Sequence, residues 1–130
     1  DEYVSSAVDD DQALFILTSK GLIIILGCAH RGMVNTIIHA QKVTGIQEIY
    51  MIIGGTHLLN TSPTQQEQTL KALQDMRVQK VGVSHCTGMR PAAFLSENLG
   101  SKRFFFNNAG ATITFSGQRV NVKAFERFDV

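Results

Sequence analysis

The chain has 130 residues, with 12 lysines and arginines against 11 aspartates and glutamates, and 44% of its residues are hydrophobic. This length and composition suit one domain with a sizeable buried core. Only 18% of the residues are charged and no basic cluster is visible, which argues against a disordered tail and against nucleic acid as a partner. The longest apolar run, Leu22–Ala29, is far shorter than the roughly 20 residues of a membrane span, so no membrane partner is expected.

Short apolar runs alternate with helical periods along the chain. The first two runs, Ala13–Thr18 and Gly21–Leu26, predict a hairpin that turns at Ser19-Lys20, and the second is apolar on both faces, as expected of a strand inside a sheet. The later predicted elements are a helix from Gly32 to Gly45, a strand at Ile49–Ile53, a helix beginning at Ser62-Pro63, a strand at Lys80–Ser84, a helix at Pro91–Leu99, and strands at Arg103–Phe106, Ala111–Phe115 and Val120–Val122, with a turn at Ser116-Gly117. This ββαβαβαβββ order predicts an α/β fold with parallel neighbours in its sheet.

Histidine and glycine occur together at the carboxyl ends of three predicted strands. The segments are Gly27-Cys28-Ala29-His30, Gly54-Gly55-Thr56-His57 and Ser84-His85-Cys86-Thr87-Gly88. Ligands of parallel sheets bind at the edge of the sheet where the carboxyl ends of the strands lie. Imidazole and thiolate are the usual ligands of zinc. One such histidine alone would more often be a packed ring at a strand end, but three in equivalent places indicate a metal or catalytic site.

Two other polar features have simpler interpretations. His39 lies in the middle of the first predicted helix and off its apolar stripe, which is typical of a solvated surface residue. The run Asp9-Asp10-Asp11 lacks the spaced oxygen ligands and the turn glycine of a calcium loop, so we expect a solvated loop.

The residues leave two alternatives to a metal site open. Cys28 precedes His30 and a predicted helix N-terminus, a setting in which a thiolate could act as a nucleophile. No Cys-x-x-Cys motif, nucleophile elbow or phosphate-binding glycine loop supports this. The histidines could also merely pack within a metal-free module used for binding or assembly. Two cysteines in a chain of this size do not form a disulfide framework, which favours a reducing, cytoplasmic setting.

With these motifs in this order, the sequence resembles the C-terminal half of a metallo-β-lactamase-fold hydrolase. The resemblance is to the metal-dependent hydrolases of the β-lactamase superfamily II, in the branch of dihydropterin ribofuranosyl-aminobenzene phosphate synthase-like proteins. It runs from about Asp10 to Phe115 and rests on the segments Asp10-Asp11-Gln12-Ala13-Leu14, Gly27-Cys28-Ala29-His30-Arg31-Gly32-Met33-Val34-Asn35, Ile53-Gly54-Gly55-Thr56-His57-Leu58 and His85-Cys86-Thr87-Gly88.

The resemblance implies an αββα sandwich that holds one or two metal ions, usually zinc and sometimes iron or manganese, with a bridging water as the nucleophile. His85 matches the last metal-binding histidine of the family. Cys28 stands at the place of the bridging ligand, with His30 as the alternative ligand two residues later. His57 has no counterpart among the standard ligands, so it is assigned to substrate contact or proton transfer.

Thr87 and Asn35 lie in the same motifs and are predicted to contact a small-molecule substrate.

The sequence departs from the family in one large respect. The first metal motif of the superfamily, His-x-His-x-Asp-His, does not occur in it. We therefore expect residues 1–130 to form the C-terminal half of the domain, inactive alone and with an unusually apolar inner face exposed. The expected partner is the N-terminal half of the same fold. The alternative assembly is a homo-oligomer of this chain.

Overall fold

The computed structural model describes residues 11–116 and 119–123. Their elements follow the predicted ββαβαβαβββ order, with a one-turn 3-10 helix, His85–Thr87, before the third α-helix. The bounds are β1 Ala13–Thr18, β2 Gly21–Leu26, α1 Met33–Thr44, β3 Ile49–Gly55, α2 Pro63–Asp75, β4 Lys80–Ser84, α3 Met89–Leu99, β5 Phe104–Phe106, β6 Thr112–Ser116 and β7 Arg119–Lys123. Asp9, Asp10 and Gly117 lie outside the described residues, so the interpretation of the aspartate run and the predicted turn at Gly117 stay predictions.

The main sheet has the strand order β1-β2-β3-β4-β5. β1 is antiparallel to β2, and the pairs β2-β3, β3-β4 and β4-β5 are parallel. The apolar strand β2 therefore has a neighbour on each side, as its sequence predicts. Because β2, β3 and β4 are parallel, their carboxyl ends lie at one edge of the sheet.

One face of this sheet is covered by all three α-helices. Alternate residues of β2, among them Leu22 and Ile24, pack there against Ile37 of α1, Leu73 of α2 and Leu95 of α3, all of them nearly or fully buried. At about 25 cal/mol for each Å² of apolar surface removed from water, this contact supplies the main driving force for folding. The helices are thereby fixed with their N-termini near the edge where β2, β3 and β4 end.

The opposite face carries a second apolar cluster, formed by Ile23, Tyr50, Met51 and Ile53. Ile113 of β6 and Val122 of β7 pack against it, and these two strands form a separate antiparallel sheet. The expectation of an exposed apolar inner face is wrong at the centre of this face, because Ile23 and Met51 are completely buried. The described residues thus stack helices, a main sheet and a second sheet, in agreement with the predicted α/β sandwich.

One local detail was not predicted from the sequence, and another differs from its prediction. The pairing of β2 with β3 shifts register between Leu22 and Ile23, so that Tyr50 and Met51 join the same cluster; such a bulge leaves no simple mark in an apolar sequence. α3 begins at Met89, two residues before the predicted Pro91, because proline is tolerated in the first turn of a helix. Among the described residues, no helix has the length and apolar character needed to cross a membrane.

Candidate metal centre

The parallel register brings the three histidine-bearing segments together. Leu26 pairs with Gly54, and Gly55 pairs with Ser84, so the strands β2, β3 and β4 end almost level. At the end of β3, the Gly55 N–H donates a 3.0 Å hydrogen bond to the carbonyl oxygen of Gly27, the residue after β2. The segments that follow β2, β3 and β4 therefore begin close together at one edge of the sheet.

Cys28, His85 and Cys86 form a compact group of metal-ligating side chains at this edge. The ligand atoms of the three side chains all lie within 4.8 Å of one another. Cys28 Sγ is 3.6 Å from His85 Nδ1. His85 is exposed and the two cysteines are half-buried, so the group is open on one side.

Backbone contacts hold Cys86 in this group. The His57 N–H donates to Cys86 Sγ at 3.3 Å, and the Cys86 thiol donates to the carbonyl oxygen of Cys28, also at 3.3 Å. Gly55 leaves room for the sulfur, since a Cβ at that position would lie 2.8 Å from it. The sequence prediction quoted Cys86 in a motif but did not count it as a ligand; its position directly after His85 is the signal that could have identified it.

Three residues at this edge adopt left-handed backbone conformations that are unusual without glycine. The φ angles are 55° at Ala29, 49° at His57 and 52° at His85. A residue with a side chain is disfavoured in this region by about 1–2 kcal/mol, and such strain concentrates at functional sites. Each of the three lies within three residues of a strand end, where it turns the chain and redirects the side chains that follow.

The two remaining histidines of the strand-end motifs contact each other. The rings of His30 and His57 pack edge to face, with their centroids 4.6 Å apart, and both residues are exposed. His30 is not a member of the group formed by Cys28, His85 and Cys86. Its role as a metal ligand and that of His57 in proton transfer or substrate contact stay predictions.

The two predicted substrate-binding residues have different surroundings. Thr87 is buried, and its hydroxyl accepts from Thr56 Oγ1 and donates to the carbonyl oxygen of Ser84, at 2.8 Å each. Asn35 is exposed in the first turn of α1, and its Nδ2 donates to the carbonyl oxygen of Arg31 at 2.7 Å. Thr87 thus fixes the loop that carries His85, whereas the Asn35 side chain is accessible to a ligand. Substrate contact by either residue stays a prediction.

His39 lies on the exposed side of α1, as predicted for a solvated surface residue. Its ring is 6.4 Å from that of Phe15. It takes no part in the group formed by Cys28, His85 and Cys86, which makes it a suitable control in experiments on the other histidines.

The donor set of the three side chains fits a metal ion. Two sulfurs and one imidazole nitrogen are the soft and borderline donors found in zinc and iron sites, and a catalytic zinc commonly has three protein ligands and one open position. From the sequence alone, His85 with Cys28 or His30 falls short of such a set. The folded chain brings a third donor, Cys86, to the same place.

Comparison with known proteins gives the same class of protein as the fold and the site. No protein-family model matches the chain. The crystal structure of Tm1679, a metal-dependent hydrolase of the β-lactamase superfamily, superposes with a TM-score of 0.73 and 31% sequence identity, over 84% of this chain and 42% of that one. The predicted resemblance to the metal-dependent hydrolases of the β-lactamase superfamily is therefore confirmed.

The curated relatives narrow this resemblance to a branch. The chain is 39% identical over 97 residues, or 75% of its length, to the 7,8-dihydropterin-6-methyl-4-(beta-D-ribofuranosyl)-aminobenzene-5'-phosphate synthase of Methanocaldococcus jannaschii. It is 30% identical over 112 residues, or 85% of its length, to an uncharacterized protein of the same organism. The branch named from the sequence is thus confirmed as well. The chain spans 31% and 39% of the lengths of these two relatives.

Proposed function

We propose that this chain supplies the C-terminal half of a metal-dependent hydrolase domain, in which Cys28, His85 and Cys86 hold a zinc ion. The observation that carries the proposal is the convergence of the three ligand atoms within 4.8 Å, at the edge of the sheet where β2, β3 and β4 end. The 31% identity to a metal-dependent hydrolase of known structure supports it. Iron or manganese, and a second ion, are the alternatives for the occupant.

The reaction proposed is hydrolysis of an ester, phosphate or similar bond in a small-molecule substrate. A bound zinc would lower the pKa of a coordinated water and polarise the bond to be cleaved. Within this chain, His57 is exposed and its backbone N–H donates to Cys86 Sγ. We assign its ring to substrate contact or proton transfer. The accessible amide of Asn35 can hydrogen-bond the substrate. Further ligands and substrate contacts would come from the rest of the domain, so we expect no activity from residues 1–130 alone.

Metal analysis of the intact protein and its variants tests the site. We expect bound zinc in the parent protein, loss of at least half of it in Cys28→Ser and His85→Ala, and full retention in His39→Ala, since His39 takes no part in the group. Elemental analysis after gel filtration gives the stoichiometry. The same metal content in the parent, Cys28→Ser and His85→Ala proteins would overturn the assignment.

A synthase activity is the second candidate, favoured by the 39% identity to the archaeal synthase. Hydrolysis incorporates an oxygen atom from water into a product, whereas a synthase reaction joins two substrates. Mass spectrometry of products formed in ¹⁸O-water separates the two reactions. A joined product without the label would favour the synthase.

The cysteine-nucleophile alternative makes a different prediction. The structure places the imidazole of His85 3.6 Å from Cys28 Sγ, and packs the ring of His30 against His57. A catalytic thiol would show stoichiometric labelling of Cys28 that abolishes activity whether or not metal is bound. If Cys28 is a metal ligand, bound metal should protect it from the same reagent, and chelation should expose it.

A further inference from the structure

Cys28 and Cys86 bring two sulfur atoms together from positions that lie 58 residues apart in the sequence. The two Sγ atoms are within 4.8 Å of each other, and Cys86 Sγ is 3.3 Å from the carbonyl oxygen of Cys28. A disulfide needs its sulfurs about 2.05 Å apart. A change of one staggered χ1 rotamer moves a cysteine sulfur by about 3 Å, a distance comparable to the gap that remains. The spacing of the two sulfurs therefore suits a bond between them.

The backbone holds the two cysteines at this spacing. The Gly55 N–H donates to the carbonyl oxygen of Gly27, directly before Cys28, and the Leu59 N–H donates to that of Cys86 at 3.3 Å. A Cβ on Gly55 would lie 2.8 Å from Cys86 Sγ and 3.2 Å from Cys28 Cα, so the glycine leaves the space between the cysteines open. Folding thus gives each thiol a higher effective concentration of the other than an unfolded chain would.

Both cysteines are within reach of small molecules from solvent. They are thiols in this structure, and both are half-buried. His85, whose Nδ1 is 3.6 Å from Cys28 Sγ, is exposed. Cysteines that react are partly exposed in this way, whereas fully buried structural cysteines are inert.

We propose that Cys28 and Cys86 are a reversible redox pair, which forms an intramolecular disulfide with a small-molecule disulfide such as oxidised glutathione as the oxidant. One cysteine sulfur attacks this reagent, whose S–S bond breaks and releases one glutathione as a thiol. The other cysteine sulfur then attacks the mixed disulfide and releases the second glutathione. The two protein thiols lose their hydrogens and are oxidised, while one glutathione disulfide is reduced to two thiols.

The disulfide and a bound metal exclude each other, because the thiolate is the form of cysteine that ligates a metal. Oxidation of the redox pair would remove two of the three ligands of the candidate metal centre. This consequence rests on the function proposed above, in which both sulfurs hold zinc. Formation of the disulfide itself needs no metal.

Mass spectrometry of metal-free protein tests the bond. The intact protein is freed of metal by chelation, checked for its fold by circular dichroism, and incubated with oxidised glutathione. We expect a loss of two hydrogens and, after digestion, a linked pair of peptides that contain Cys28 and Cys86; dithiothreitol should reverse both. Stable glutathione adducts on the two cysteines in place of the cross-link would overturn the proposal. In the matched variants Cys28→Ser and Cys86→Ser, the remaining cysteine of the pair should carry glutathione.

A glutathione redox buffer tests whether the folded geometry makes the pair. We expect the equilibrium constant for disulfide formation in folded, metal-free protein to exceed that in urea-unfolded protein by at least about tenfold. Folding already holds the two sulfurs together, whereas the unfolded chain must close the loop between them. Equal constants in the two states would overturn the proposal.

Zinc-loaded protein tests the competition with metal, and it decides the question if the metal-free protein does not fold. Excess zinc should slow the cross-link at least about tenfold. With excess oxidised glutathione instead, a colorimetric zinc indicator should show one zinc released for each disulfide formed. Release of zinc without the cross-link would overturn the proposal.

The same measurements separate this proposal from the proposed function. A cross-link that forms in a protein whose parent form binds no zinc would support the redox pair while the proposed function fails. Zinc that is lost in Cys28→Ser and His85→Ala, in a protein whose parent form never gains the cross-link, would support the proposed function and overturn the redox pair.

Discussion

Gly55 lies at the point where the segments after β2 and β4 approach each other. A Cβ at this position would lie 2.6 Å from the carbonyl oxygen of Gly27 and 2.8 Å from Cys86 Sγ. Both distances are shorter than ordinary contacts, and one of the neighbours is a backbone atom that cannot rotate away. The absence of a side chain at Gly55 therefore allows Cys86 and Cys28 to share one site.

Gly55→Ala should consequently disturb the metal centre. We expect a loss of about 1–3 kcal/mol in the free energy of unfolding from overpacking, together with weaker metal binding. Gly45→Ala is the matched control, since a Cβ there meets nothing within 4 Å and only the left-handed φ of 74° opposes it. It should cost about 1 kcal/mol and leave metal content unchanged. Urea denaturation and elemental analysis measure both effects, and full metal binding by Gly55→Ala would contradict this account.

Among the elements, α2 shows how local sequence sets the beginning of a helix. The Ser62 hydroxyl accepts from the Gln65 N–H at 3.2 Å, and the Gln65 side chain accepts from the Ser62 N–H at 2.9 Å. Pro63 occupies the first helical position, where its missing N–H is not needed. This capping box fixes the first turn of α2 and with it the place of Gln65.

Ser62→Ala should remove one half of this capping box. We expect the free energy of unfolding to fall by about 1 kcal/mol, because the Gln65 N–H loses its partner at the end of the helix. Thr64→Ala, at the exposed neighbouring position, should change it by less than about 0.5 kcal/mol. Urea denaturation followed by circular dichroism compares the two, and equal destabilisation would show that the cap contributes little.

At the scale of the whole molecule, the candidate metal centre joins parts of the chain that are distant in sequence. Cys28 follows β2, whereas His85 and Cys86 follow β4, and β3 lies between these two strands in the sheet. A metal held by all three side chains would link these segments only in the folded state. Metal binding should therefore stabilise the fold by mass action.

Removal of metal with a chelator should accordingly lower the melting temperature of the intact protein by at least about 5 °C. Re-addition of zinc should restore it, and His85→Ala protein should respond to neither treatment. Differential scanning calorimetry with and without chelator provides the measurement. Indifference of the parent protein to chelation would instead favour a metal-free binding or assembly module.

Sequence patterns correctly predicted the order of the elements, the capping of α2, the glycine that ends α1 and the three histidine-bearing strand ends. These features depend on local preferences, such as apolar periodicity, proline at a helix start and glycine at a positive φ. The parallel sheet that brings the strand ends to one edge followed from the same alternation of strands and helices.

The set of side chains that meet at that edge depends on long-range packing and could not be predicted from the sequence. Cys86 joins Cys28 and His85, while His30 packs against His57, and the strands β6 and β7 cover the second face of the sheet. The side chains beyond a strand end point according to the local φ and ψ angles, and the left-handed angles at Ala29, His57 and His85 are ones that local preference disfavours. Packing between segments distant in sequence selects these angles, so no local pattern predicts them.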